Sequence, residues 1–368
     1  MKITLVAGAR PNFMKIAPII HAIKKITQET DHQIEYRLVH TGQHYDEKLS
    51  KYFFDDLNIP HPDANLEVGS GSHAVQTAKI MIAFEQELLN HPCDYLLVVG
   101  DVNSTMACTL VAKKMQIKVI HVEAGLRSYD MRMPEEINRM VTDSIADIFF
   151  TTTPEAGYKL IKMGCDPANI HLVGNVMIDS LCSNLKKLQQ PPVWKTLDLS
   201  DKSYYLMTLH RPSNVDEEKS LQELIQLLGE QAKGKPVVFP AHPRTQKQLQ
   251  AIGKLPDNIY MVEPLRYLEF IYLVKHAAAV LTDSGGIQEE TTYLGVPCLT
   301  LRENTERPET ITMGTNELIG IEPQNIINAF SVLNNNTWKK GNVPLLWDGH
   351  TAERLIFQLL KIDAQSCS

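Results

Sequence analysis

Three carboxylates stand where a run of apolar residues gives way to a helical stretch, and such acids can move protons. In Val99-Gly100-Asp101-Val102-Asn103-Ser104-Thr105, Asp101 closes a strand-like run and precedes a helix. It either caps that helix or faces a ligand. Glu123, in His121-Val122-Glu123-Ala124-Gly125-Leu126-Arg127, follows the apolar pair Val119-Ile120. An unpaired charge there is expensive, so Arg127 or another cation pairs with it, or its proton affinity is tuned for catalysis. Glu135 lies in Met133-Pro134-Glu135-Glu136-Ile137-Asn138-Arg139, where Pro suits the first helical position and acids suit the positive helix end. Local energetics account for Glu135 fully, and only the company of Asp101 and Glu123 makes it a candidate. Carboxylates on neighbouring loops push one another's pKa values apart, which suits general acid and base work.

A second set of residues suits phosphate. Gly8-Ala9-Arg10-Pro11-Asn12 turns into a helix that carries Lys15. Backbone donors with Arg10 and Lys15 fit a diphosphate, and equally fit a solvated helix start. The turn has no GxGxxG spacing, which disfavours a nicotinamide enzyme. Leu281-Thr282-Asp283-Ser284-Gly285-Gly286-Ile287-Gln288-Glu289-Glu290 is the sharpest site. Ser284, Gly285 and Gly286 offer backbone and hydroxyl donors at a positive helix end, and Glu290 on that helix is placed to reach ribose hydroxyls. Arg307, in Arg302-Glu303-Asn304-Thr305-Glu306-Arg307-Pro308, adds a cation after the next strand. His210 in Thr208-Leu209-His210-Arg211-Pro212 also follows a strand, where a lone histidine is either structural or catalytic. His242, in Phe239-Pro240-Ala241-His242-Pro243-Arg244, is a weaker case of the same kind.

These residues need a scaffold that brings strand ends together. Runs at 2–8, 34–40, 95–100, 117–122 and 148–152 read as strands, with helical periodicity at 13–25, 74–89, 105–115 and 135–145. Strands apolar on both faces, alternating with helices, imply a parallel sheet covered by helices. A polar, proline-rich stretch, Gln189-Gln190-Pro191-Pro192, is the best linker candidate. The alternation then resumes, with strands at 204–209, 236–240, 259–262, 278–282 and 296–301 and helices at 265–275 and 286–294. The expected fold is α/β, with two Rossmann-like domains and an active-site cleft between them. Residues 1–175 with the returning helix 351–368 form the acid-bearing domain, and 176–350 the second domain. Ligands of open parallel sheets bind at the carboxyl ends of the strands, which is where all the candidates lie.

Bulk properties fit that scaffold and exclude others. A chain of 368 residues is comfortable for two domains, and 43% hydrophobic with 21% charged residues is ordinary for a globular enzyme. A formal charge of −7 argues against a nucleic-acid partner. The apolar runs are too short to span a bilayer, and Met1-Lys2 leads straight into a strand rather than a signal peptide. The six cysteines include no CxxC pair and no zinc spacing, so they read as reduced thiols of a cytoplasmic protein without a metal site.

GARPNFMKIAPI, TGQHYDEKLS, GDVNST, HVEAGLRS, MPEEINR, LHRPSN, HPRT, DSGGIQEE and RENTERPE occur here in one order. That ordered set resembles the non-hydrolysing UDP-N-acetylglucosamine 2-epimerases, from Lys2 to about Gly320. The resemblance implies a two-domain fold of glycosyltransferase-B type, a homodimer, no dissociable cofactor, and a UDP-sugar substrate. It implies UDP on the second domain, with Ser284, Gly285 and Gly286 at the diphosphate, Glu290 at the ribose and Phe270 near the uracil. Arg10 and Arg307 would supply cationic or cleft contacts, and Lys15, Asp101, Glu123, Glu135 and His210 match the catalytic cluster, while His242 reads from its own motif as a further substrate-cleft residue. The implied reaction is reversible epimerisation at carbon 2 of UDP-N-acetylglucosamine, giving UDP-N-acetylmannosamine. Some relatives hold a second, activating UDP-N-acetylglucosamine with a Gln-His loop and an arginine. Gln43-His44 is present, but Val68-Gly69-Ser70-Gly71-Ser72-His73 has no arginine. The rivals are a 2-epimerase of a UDP-2,3-diacetamido-uronic acid and a hydrolysing epimerase that releases N-acetylmannosamine and UDP. A glycosyltransferase or a catalytically silent nucleotide-sugar binder would not need the clustered acids.

Overall fold

The computed structural model describes residues 1–42, 58–241, 245–246, 248–249 and 254–366. The chain divides into two compact units, Met1–Ser183 with Leu345–Ser368, and Asn184–Pro344.

In the first unit, strands β1 (Lys2–Ala7), β2 (Glu35–His40), β3 (Ala64–Asn65), β4 (Tyr95–Val99), β5 (Lys118–Val122), β6 (Ile148–Thr151) and β7 (Ile170–Leu172) form one sheet. Its order is β3-β2-β1-β4-β5-β6-β7, and every neighbouring pair is parallel. All five residues of β4 are buried, as a parallel strand covered on both faces requires. The covering helices include α1 (Arg10–Glu29), α2 (His73–Asn90), α3 (Asn103–Lys114), α4 (Pro134–Ile145), α5 (Pro154–Lys162) and α6 (Val176–Asn184). Helix α2 shows how they seat. Ile80, Phe84 and Leu88, four residues apart, are buried, while Ile82 and Leu89 lie on its open side.

In the second unit, β8 (Tyr205–Thr208), β9 (Val237–Pro240), β10 (Ile259–Val262), β11 (Ala279–Thr282), β12 (Cys298–Thr300) and β13 (Asn316–Leu318) form a parallel sheet ordered β10-β9-β8-β11-β12-β13. Its core joins Tyr205, Met207 and Phe239 from the strands to Leu221 and Leu228 of α7 (Glu218–Gln231) and Ile326 and Phe330 of α10 (Pro323–Asn334). Helices α8 (Tyr267–His276) and α9 (Gly285–Leu294) flank β11 in sequence. The last described helix, α11 (Thr351–Ser366), packs on α1 within the first unit. The Asp179 carboxylate accepts hydrogen bonds from Thr351 N–H at 3.1 Å and Ala352 N–H at 2.7 Å, pinning the start of α11.

Two details of the structure go beyond the sequence expectations. The chain passes between units at Ser183, ahead of the proline pair whose composition marks a linker. Pro192 instead opens a short helix, Pro192–Thr196, a position where its missing N–H costs nothing. That helix carries Trp194 edge-on against Tyr204 and Tyr272. The short edge strands β3, β7 and β13 are absent from the sequence reading, because two or three residues carry too little periodicity.

Candidate active site

In each sheet the strand order reverses beside the first strand, between β1 and β4 and between β8 and β11. Such a switch point opens a crevice at the carboxyl ends of the strands, because the loops on its two sides run in opposite directions. The candidate residues collect at these two places.

At the first, Asn12 staples the turn after β1. Its Oδ1 accepts Gly8 N–H at 3.2 Å and Ala9 N–H at 3.0 Å, and its Nδ2 donates to the Val99 carbonyl of β4 at 3.0 Å. One turn on, buried Lys15 reaches back, and its Nζ lies 2.5 Å from Glu123 Oε2. Of the two partners open to Glu123, the cation is Lys15 rather than Arg127. Arg127 pairs instead with Asp143 at 2.6 Å. Glu123 stands in the left-handed region, with φ +67°. That conformation costs a bulky residue about 1–3 kcal/mol and tends to persist at functional sites. Gly100 beside it also has φ +71°, and a Cβ there would lie 3.3 Å from Lys15 Nζ. A side chain there would be strained by that backbone and would have to push the Lys15 ammonium aside.

Asp101 is ion-paired with Arg139 of α4, which also bonds Glu136 at 2.6 Å. Glu136 in turn accepts from Ser128 N–H and Oγ and from Tyr129 N–H. Burial pushes the Glu136 carboxyl up, but these donors and Arg139 outweigh it and hold it below the usual range. Glu136 therefore folds the loop after β5 against α4. Glu135 stands half-buried on the first turn of α4, outside this network among the described residues. Beneath the acids lies a second buried pair. His121 Nδ1 is 2.6 Å from Asp143, its Nε2 faces the Gly100 carbonyl at 2.9 Å, and Asp143 also accepts Gly125 N–H at 3.1 Å. Burial opposes the Asp143 charge, yet His121 and Arg127 hold its carboxyl below the ordinary value.

At the second switch point, the Thr208 and Thr282 hydroxyls meet at 2.7 Å across β8 and β11. Asp283, just past β11, is fully buried and 2.7 Å from His210 Nδ1. It also accepts from the N–H groups of His210 and Arg211 and from Asn214 Nδ2. Ser284 is the N-cap of α9, and its side chain makes no capping bond. A helix start of this kind presents backbone N–H groups that suit an anion. A Cβ at Gly285 would come within 2.6 Å of Glu306 Oε1 and 2.8 Å of Arg307 Nη1. Arg307 is buried in ion pairs with Glu289 at 2.7 Å and Glu306 at 2.6 Å, and Arg302 bonds Glu306 at 2.9 Å. Glu290, also buried, accepts from Tyr267 Oη at 3.1 Å. Desolvation pushes its pKa up to about 8, eased by Tyr267 and reinforced by the Glu289 charge. Phe270 lies half-buried on α8. Arg10 is the first residue of α1, and its side chain, like His242 and Gln43-His44, lies outside the described residues.

The sequence reading missed Arg139, Asp143 and Asp283. The first two are helical residues whose burial only the fold reveals. Asp283 had a visible signal, because it closes a strand as Asp101 does.

Two doubly wound parallel sheets, each with buried charge at its switch point, define an α/β protein of glycosyltransferase-B type. Residues 25–361 match the family model described as UDP-N-acetylglucosamine 2-epimerase. A relative of that name from Methanocaldococcus jannaschii is 41% identical over 97% of this chain and 98% of its own. A solved structure of the M. jannaschii UDP-GlcNAc 2-epimerase, in complex with UDP-GlcNAc and UDP, superposes with a TM-score of 0.87 at 40% identity, covering 98% of this chain and 100% of its own. The UDP-2,3-diacetamido-2,3-dideoxy-D-glucuronate 2-epimerase of Pseudomonas aeruginosa is 40% identical over 89% of this chain and 91% of its own. The chain belongs to the UDP-N-acetylglucosamine 2-epimerase family.

Proposed function

We propose that this protein interconverts UDP-N-acetylglucosamine and UDP-N-acetylmannosamine without releasing free sugar. The observation that carries this reading is the pairing of chemistries at the two switch points: acids and a buried Lys15–Glu123 pair at one, a helix N-terminus with His210 at the other. The carbon 2 hydrogen of the substrate is not acidic, since no carbonyl adjoins it. It can leave only as the carbon 1–oxygen bond breaks and that electron pair goes to the β-phosphate oxygen of UDP. A carboxylate then takes the proton, the carbon–hydrogen pair becomes a carbon 1–carbon 2 double bond, and a glycal stands beside UDP. A proton delivered to the opposite face of carbon 2, with UDP rejoining carbon 1, completes the inversion. Two faces need two acid/base groups, for which Asp101, Glu123 and Glu135 are the candidates. The leaving diphosphate needs fixed donors, assigned to Ser284, Gly285 and Gly286, with Glu290 at the ribose.

The test is product identity. Incubated with UDP-N-acetylglucosamine, the protein should give a mixture of the two UDP-sugars by phosphorus and proton NMR, reached equally from UDP-N-acetylmannosamine. Stoichiometric N-acetylmannosamine with UDP would mean the hydrolysing reaction. The P. aeruginosa relative favours a second reading, epimerisation of a UDP-diacetamido-uronic acid. Turnover of that sugar alone would establish it.

A further inference from the structure

We propose that Asp283 is a positioning residue that fixes His210 in its Nδ1–H tautomer and leaves Nε2 as the atom that meets the substrate. This rests on the reading of His210 as a catalytic group. Every hydrogen-bond partner of the Asp283 carboxylate among the described residues is a donor. His210 N–H lies at 3.1–3.2 Å, Arg211 N–H at 2.9 Å and Asn214 Nδ2 at 3.1 Å. Burial disfavours the charge, but His210 and these backbone donors outweigh it and hold the carboxyl below its usual range. An ionised carboxylate only accepts, so the ring nitrogen 2.7 Å away must carry a hydrogen. That nitrogen is Nδ1. The remaining nitrogen, Nε2, has no hydrogen-bond partner among the described residues, and the His210 side chain is 55% exposed while Asp283 is fully buried. The carboxylate thus grips the ring from within and presents its other edge outward.

A residue that merely held the loop after β8 would make the same backbone contacts, so the test must read the imidazole. Asn at position 283 still accepts the backbone N–H groups but offers its amide N–H to Nδ1, which selects the opposite tautomer. Asp283→Asn should therefore cut turnover roughly 100-fold or more while UDP affinity stays within about threefold. In a His210→Asn background the same change should cost no more than about threefold, since Asp283 then has no ring to orient. Unimpaired Asp283→Asn turnover, or a double variant that loses the product of the two single effects, overturns the proposal. His210→Asn at wild-type turnover overturns instead the assignment of His210, and is told apart from the first outcome by the single variants. Nitrogen NMR of the wild type reads the tautomer even if Asp283→Asn fails to fold. The one signal among 13 histidines that His210→Asn removes should report hydrogen on Nδ1 in the neutral ring. Hydrogen on Nε2 would refute the proposal.

Discussion

A carboxyl group out of water keeps its proton unless a cation or several donors compensate it. Four of the buried acids divide on that rule. Asp143, Glu136 and Asp283 each have a cation, a ring or backbone donors, and stay below the ordinary range. Glu290 has the Tyr267 hydroxyl and a neighbouring acid, and rises from 4.5 to about 8. A protonated Glu290 both donates and accepts, which suits paired ribose hydroxyls. The linkage has a definite sign. The folded protein holds a proton that unfolding releases between pH 4.5 and about 8, so stability falls as pH rises through that window and levels off above it. Glu290→Gln keeps the Tyr267 bond and abolishes the release. It should be more stable than wild type at pH 8 by about 1 kcal/mol or more, a Tm gain of roughly 2–4 °C, and the gain should vanish near pH 4.5. Thermal scans across pH decide this. A constant difference would mean that Glu290 is ionised in the fold. The buried Lys15–Glu123 pair is held by geometry, and removing one partner would strand the other out of water.

At the scale of elements, the site is built from strand ends and helix starts, and these were legible for simple reasons. Runs that are apolar almost throughout, such as Tyr95–Val99 and Ala279–Thr282, mark strands of a sheet covered on both faces. The first polar residues beyond them must lie at its carboxyl edge. Partners across long separations were not legible. Lys15 and Glu123 are 108 residues apart, and nothing in local periodicity joins them. Arg127 next door was the nearer cation in sequence and the wrong one in space. Arg139 and Asp143 were hidden for a related reason, since a charged residue on an amphipathic helix ordinarily faces water. The start of α9 gives an element-scale prediction. A methyl at Gly285 would press on Glu306 and Arg307, which are themselves buried and ion-paired. Gly285→Ala should therefore weaken UDP binding by about tenfold or more, with helix content unchanged. Calorimetry showing unaltered affinity would place the diphosphate elsewhere than this helix end.

At the scale of the whole molecule, the two sheets repeat one plan, with β1, β2, β3, β4, β5 and β6 corresponding by position to β8, β9, β10, β11, β12 and β13. In each, an aspartate follows the strand across the switch point, Asp101 after β4 and Asp283 after β11. The partners differ, Arg139 for one and His210 for the other. On the proposed reading one architecture carries two jobs, acids at one switch point and anion donors at the other. If the jobs are divided in this way, they should be separable by mutation. Asp101→Asn should lower epimerisation and the uptake of solvent deuterium at carbon 2 together, by roughly 100-fold or more, because both need the same proton transfer. UDP affinity should remain within about threefold, since the assigned donors lie wholly within Asn184–Pro344. NMR in heavy water reads the first two quantities and calorimetry the third. Loss of UDP binding in step with turnover would mean that Asp101 serves the nucleotide rather than the proton. Deuterium uptake persisting while inversion is lost would mean that Asp101 acts on one face of carbon 2 and another acid on the other.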